Sequence, residues 1–167
     1  MYQYYCSIQT RIVRRSLNVV NLWGVWPMLC INRGRALLIP HFDPHDFKLG
    51  WCALGSNGRY NYATMAYLCM DIGDRIIAFV LPPGIPLFIP SALFLHFNTW
   101  VTEQEGERDA FIFWLPGDVA QWVELGFTTF KSYKETHSPK DMKELAIKLE
   151  KFWETMVAQY PVDTLWE

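Results

Sequence analysis

The stretch PHFDPHDFKLGW, residues 40–51, decides how the rest of the chain is read. It lies between two apolar runs, ALLI at 36–39 and WCALG at 51–55. In an extended chain, residues i and i+2 project to the same face. His41 and Asp43 therefore present an imidazole nitrogen and a carboxylate oxygen to one point. That pair is two thirds of a 2-His-1-carboxylate facial triad, the ligand set that holds Fe(II) on one side and leaves the other side open. The third ligand must come from far along the chain, and His96, in IPSALFLHFNTW, is the natural candidate. His45 also follows Asp43 by two, but Pro44 ends the extended run, which leaves His45 outside the ligand set. Asp46 reads as a solvated turn residue.

A length of 167 residues fits one domain, with enough chain to bury a core without metal or disulfide staples. The chain is 51% hydrophobic and 16% aromatic, which excludes disorder. A formal net charge of −2 gives no overall basic bias toward nucleic acid. Arg11, Arg14 and Arg15 form a local cluster, read as a solvated strand or loop with phosphate contact as the alternative. Cys6, Cys30, Cys52 and Cys69 form no CxxC pair and sit in apolar runs. They read as reduced, buried small hydrophobes, hence an intracellular protein. The N-terminus lacks a signal-peptide core, and the apolar run at 76–97 is too broken by prolines to cross a membrane. A soluble protein with no membrane partner is expected.

Residues 17–31 are β-rich and predict one or two strands. ALLIPHFD, LGWCALG, ATMAYLCMDIG, DRIIAFVL and DAFIFWLP predict further strands, and Asn57-Gly58 is the strongest hairpin signal. The pattern then changes. GDVAQWVELGF (117–127) suits a short helix. SPKDMKELAIKLEKFWETMVAQY (138–160) suits a long one, capped by Ser138, opened by Pro139 and striped by Met142, Leu145, Leu149, Phe152 or Trp153, and Met156. Strands at about 11–116 and helices at about 117–160, in one domain spanning 1–167, imply an antiparallel β sandwich or barrel buttressed by C-terminal helices.

HFD (41–43), GWCA (50–53), VLPPG (80–84), FIPSA (88–92), HFN (96–98), GER (106–108), FIFW (111–114) and WVELGF (122–127) occur in an order and spacing that resemble a known family. This is the fungal, mostly basidiomycete, TET/JBP-like group of Fe(II)/2-oxoglutarate-dependent dioxygenases. The resemblance covers roughly half of the chain and rests on the ordered set rather than on any single piece. It implies a double-stranded β-helix, a jelly-roll or cupin-like barrel. It places His41, Asp43 and His96 on the iron ligands and Arg108 on the far carboxylate of 2-oxoglutarate, with Asn98 supporting a ligand or the co-substrate. It further implies oxygen as co-substrate, 5-methylcytosine in DNA or RNA as substrate, and a nuclear location. Position 46, asparagine in the family pattern, is aspartate here.

Two other readings stay open on the sequence. One is a catalytically inactive or truncated β-helix that serves as a binding or structural module. The other is a dioxygenase acting on a small molecule or a protein, which the near-neutral charge favours. Trp51, Trp100, Trp114 and Trp122 are candidates for stacking a flipped base or, more simply, for core packing.

Overall fold

The computed structural model describes residues 1–15 and 24–158. They divide into two units, Val20–Gly117 and Met1–Val19 with Asp118–Glu167. The first unit carries seven strands: β1 (Met28–Asn32), β2 (Cys52–Tyr60), β3 (Leu68–Asp71), β4 (Ile76–Phe79), β5 (Leu87–Ile89), β6 (His96–Asn98) and β7 (Gly106–Trp114). They form two antiparallel sheets, a four-stranded one in the order β1-β7-β2-β5 and a three-stranded one in the order β4-β3-β6. This agrees with the mainly β expectation. Among the described residues the strands make two open sheets rather than one ring closed on itself.

A hydrophobic core joins the two sheets. Cys52 and Ile89 come from the larger sheet and Leu68 from the smaller, with Leu81 between β4 and β5. Leu54, Met70, Phe79, Leu87, Ile112 and Trp114 pack around them. Burying each large aliphatic side chain of this kind contributes about 1.5–3 kcal/mol, so the core is what holds the sheets face to face.

Asn57-Gly58 does not form the expected hairpin. β2 runs straight through it, and Gly58 pairs with Arg108 of β7. The glycine serves close backbone approach instead: an added Cβ would lie 2.3 Å from the Glu107 carbonyl oxygen. Gly106, opposite Tyr60, is tighter still, with φ +116° and 1.8 Å between a built Cβ and the Arg59 oxygen. The two glycines let the long β2–β7 ribbon close at the end that carries Arg108. Nor is ALLIPHFD a regular strand. It is an extended segment pinned at isolated positions, Arg35 to Arg108 and His41 to His96. Of the expected strands in 17–31, β1 is present, while residues 17–23 lie outside the described residues.

The second unit is helical: α1 (Tyr2–Arg15), α2 (Gly117–Glu124), α3 (Phe130–Thr136) and α4 (Pro139–Val157). The strand or loop expected at Arg11–Arg15 is therefore corrected to the end of a helix. Tyr5, Ile8 and Ile12 are buried at helical spacing. Arg11 donates to Glu124 at 3.1 Å and to the Val123 carbonyl, and Arg15 lies over the Phe127 ring. The basic cluster is thus partly spent on structure. α4 begins as predicted, with Ser138 and Asp141 in a reciprocal capping box and Pro139 at its first position. The last two residues of its predicted span, 159 and 160, lie outside the described residues. α3 was not signalled by any apolar stripe, since none of its residues is buried.

Gly106→Ala is expected to cost about 2–5 kcal/mol, because it combines a forbidden backbone conformation with a backbone clash. Gly34→Ala, at φ +76° with open space around it, should cost only about 1 kcal/mol. Urea unfolding of the two variants measures this, and equal losses would refute the close-approach account.

Candidate metal centre

Two backbone hydrogen bonds build the site. The His41 amide donates to the His96 carbonyl at 3.1 Å, and the His96 amide donates back to His41 at 2.9 Å. β6 is held on its other side by β3, where Met70 faces His96 and Leu68 faces Asn98. The imidazoles of His41 and His96 consequently sit with ring centroids 4.4 Å apart. Asp43, two residues along, sends its carboxylate between them: Oδ1 lies 3.5 Å from His41 Nε2 and Oδ2 lies 3.3 Å from His96 Nε2. One ligand atom from each of the three residues lies within 4.8 Å of the others. The structure thus brings the three sequence candidates together.

The other ring nitrogens fix the chemistry. His41 Nδ1 meets the Ile39 carbonyl oxygen at 2.7 Å, and His96 Nδ1 meets that of Phe94 at 3.0 Å. A carbonyl only accepts, so Nδ1 carries the proton in both rings. In the neutral rings both Nε2 lone pairs then face a carboxylate. Lone pairs aimed at one point repel unless a cation lies among them, either a proton or a metal ion. The donor set of two imidazoles and one carboxylate fits a divalent iron, and the backbone carbonyls behind the rings are the supports such ligands use.

His96 is almost fully buried. Burial is the largest influence on it and lowers its pKa. The hydrogen bond to Asp43, the Phe94 carbonyl and the charges of Asp43 and Asp46 together outweigh it, leaving the pKa above its usual value. Asp46 is not the solvated turn residue expected. It accepts a 2.7 Å hydrogen bond from the Ser91 hydroxyl, and burial, opposed by that bond and reinforced by the charge of Asp43, pushes its carboxyl up to about 6. His45 is exposed and outside the triad, as expected.

Asn98 lies two residues past His96 on β6. Its Oδ1 accepts from the Leu38 amide at 2.6 Å, and its Nδ2 donates to the carbonyls of Ala36 and Thr99. Its side chain extends the pairing of β6 with the segment that leads to His41. Arg108 is only 4% exposed. Its guanidinium reaches the carbonyls of Ala66 and Ala36 at 3.4 and 3.5 Å, and its Nε has no partner. No carboxylate among the described residues pairs with it. Burial lowers its pKa, with Tyr60 opposing. A buried cation with long, incomplete hydrogen bonds is costly to keep. It shares the Ala36 carbonyl with Asn98, which ties it to the ligand-bearing strand.

Of the tryptophan candidates, Trp100 is 70% exposed, whereas Trp51, Trp114 and Trp122 are half-buried. Cys52 and Cys69 are buried, but Cys6 and Cys30 are only half-buried, contrary to expectation; all four are free thiols. Burial, with the nearby Asp46 and Asp43 charges, pushes the Cys52 thiol well up, so it stays protonated. The sequence reading missed the role of Ser91. The available signal was a lone hydroxyl in the apolar, proline-flanked run FIPSA.

No helix among the described residues is long and apolar enough to cross a membrane. No protein-family model matches the chain, and no curated protein matches it. Among solved structures, the chain is similar to NgTET1 in complex with 5mC DNA, at 19% sequence identity and a TM-score of 0.48. The similarity covers 68% of this chain and 46% of NgTET1, so the chain spans less than half of that protein's length.

Proposed function

We propose that this protein is an Fe(II)/2-oxoglutarate-dependent dioxygenase on a double-stranded β-helix scaffold, and that it oxidises the methyl group of 5-methylcytosine in nucleic acid. The observation that carries the proposal is the convergence of His41 Nε2, His96 Nε2 and the Asp43 carboxylate, with both Nδ1 atoms already committed to backbone carbonyls. These three residues would hold the metal. Arg108 would take the far carboxylate of 2-oxoglutarate, because its planar fork stays charged when buried and pairs with a carboxylate through two hydrogen bonds. Asn98 keeps the ligand strand in place.

Iron held by His41, Asp43 and His96, with 2-oxoglutarate and oxygen, would supply the oxidising chemistry for a substrate C–H bond, the keto acid leaving as succinate and carbon dioxide. The protein's own groups orient these reactants. The substrate assignment rests on the ordered motifs that resemble the TET/JBP-like group. A base within a duplex must be flipped out to reach such a site, and exposed Trp100 offers an aromatic plane of the kind that stacks bases. A small-molecule or protein substrate at the same site is the second reading, favoured by the net charge of −2. Binding to methylated and unmethylated DNA at two salt concentrations separates them, since phosphate contacts weaken steeply with salt.

Anaerobic titration with Fe(II) and 2-oxoglutarate should give the weak visible charge-transfer band of the chelate. Asp43→Ala and His96→Ala should abolish it. Arg108→Ala should keep metal binding and weaken 2-oxoglutarate by about 1.5–3 kcal/mol, roughly a 10- to 150-fold rise in Kd. A folded parent without the band would remove the enzymatic reading and leave a binding module.

Metal binding should strengthen as pH rises. Metal displaces protons from His96, whose pKa lies above 6.5. In the metal-free protein, the stabilisation from that proton is fully present below 6.5 and lost as pH rises through the higher folded value. Asp46, raised to about 6, acts in the same sense between its ordinary value of 3.8 and that point. The rise in Tm on adding Mn(II) should therefore be larger near pH 8 than near pH 6. An equal or larger shift at the lower pH would contradict the assignment of His96 as a ligand.

A further inference from the structure

The regular pairing that joins His41 to His96 does not continue to Asp43. Continued, it would set Asp43 against Phe94. Instead residues 90–94 turn away, with the amides of Leu93 and Phe94 donating to the Pro90 carbonyl at 3.0 and 3.3 Å. Ser91 takes the vacated place. Its carbonyl accepts the Asp43 amide at 3.1 Å, while its hydroxyl donates to Asp46 Oδ2 at 2.7 Å. Asp46 in turn donates its amide to the Asp43 carbonyl at 3.1 Å, closing the turn. One residue, 2% exposed, thus grips both ends of the turn that carries the carboxylate ligand. The far side of the turn is fastened to the chain after β7, where Phe47 donates to Leu115 and Gly117 donates to His45, each at 2.8 Å.

We propose that Ser91 and Asp46 form a positioning clamp that sets the Asp43 carboxylate and thereby governs how tightly the triad holds its metal. This rests on the reading of His41, Asp43 and His96 as a metal centre. The clamp acts through Asp43 and touches no reacting atom. Its physical basis is that a carboxylate at the frayed end of a strand pairing has freedom that metal binding must otherwise freeze. The Ser91–Asp46 hydrogen bond removes that freedom in advance, as supporting bonds around metal ligands do.

The test is Co(II) binding to the full chain, followed by calorimetry and by the visible absorption of the bound ion, with unfolding temperature recorded for each variant without metal. Ser91→Ala and Asp46→Ala should each weaken Co(II) by about 10- to 100-fold, the usual effect of removing such a support, and should alter the absorption. Asp46→Asn keeps an acceptor for the Ser91 hydroxyl and loses the charge, so it should stay within about threefold of the parent. The double variant Ser91→Ala with Asp46→Ala should be no weaker than either single one, because both delete the same bond.

Affinities of both alanine variants within about threefold of the parent would overturn the clamp. So would an Asp46→Asn variant as weak as Asp46→Ala, since charge rather than the hydrogen bond would then be at work. If Ser91→Ala does not fold, the two Asp46 variants decide the matter alone. A parent that binds no Co(II) overturns the metal centre and the clamp together, whereas a binding parent with unaffected variants overturns the clamp alone.

Discussion

The reciprocal hydrogen bonds between His41 and His96 are the constraint on which the rest of the site depends. They join an otherwise irregular segment to β6, and they fix the distance between two imidazoles before any ligand arrives. With His41 and His96 paired, Asp43 follows two residues along its segment, where the Ser91 carbonyl holds its amide, and Asn98 follows two residues along β6. A bond count this small suffices because β6 is also held from its other side by β3. His96 therefore rests on a strand held along both edges, and the segment with His41 and Asp43 is pinned to it through that one bridge.

The site's electrostatics divide into two complementary deficits. Two imidazole nitrogens and a carboxylate converge at one point, and among the described residues no carboxylate pairs with the buried Arg108 guanidinium, whose Nε has no partner. For Arg108 this is unfavourable by itself, since burying an unpaired charge costs several kcal/mol in a folded protein. The Ala36 carbonyl, shared by Asn98 and Arg108, links the two.

Much of this was legible from the chain. The i, i+2 spacing of His41 and Asp43 needed only an extended backbone, which the flanking ALLI run supplied. Ser138, Pro139 and the stripe from Met142 to Met156 specified α4 through local rules that tertiary structure did not override. Other parts required knowledge of distant neighbours. Asn57-Gly58 carries a turn signal, yet the glycine is present because the Glu107 backbone approaches so closely, a fact that only the β2–β7 pairing reveals. The first helix was hidden by aromatic, β-prone residues, although Tyr5, Ile8 and Ile12 held the helical period. α3 buries nothing and so leaves no periodic trace.

Asp46 and Ser91 show why a site's supports are harder to read than its ligands. A ligand announces itself through residue type, since few structural needs put histidine and aspartate two apart. A support is recognised only by what it touches. Ser91 lies 45 residues from Asp46 and meets it because residues 90–94 leave the strand pairing. In the sequence it is one hydroxyl among isoleucine, proline, alanine and leucine. That contrast is nevertheless informative in physical terms. A hydroxyl placed in a run destined for burial must find a partner or cost about 1–3 kcal/mol, so an isolated serine in such a run marks a point where the interior is polar. Here that point lies against the turn that carries the acidic ligand.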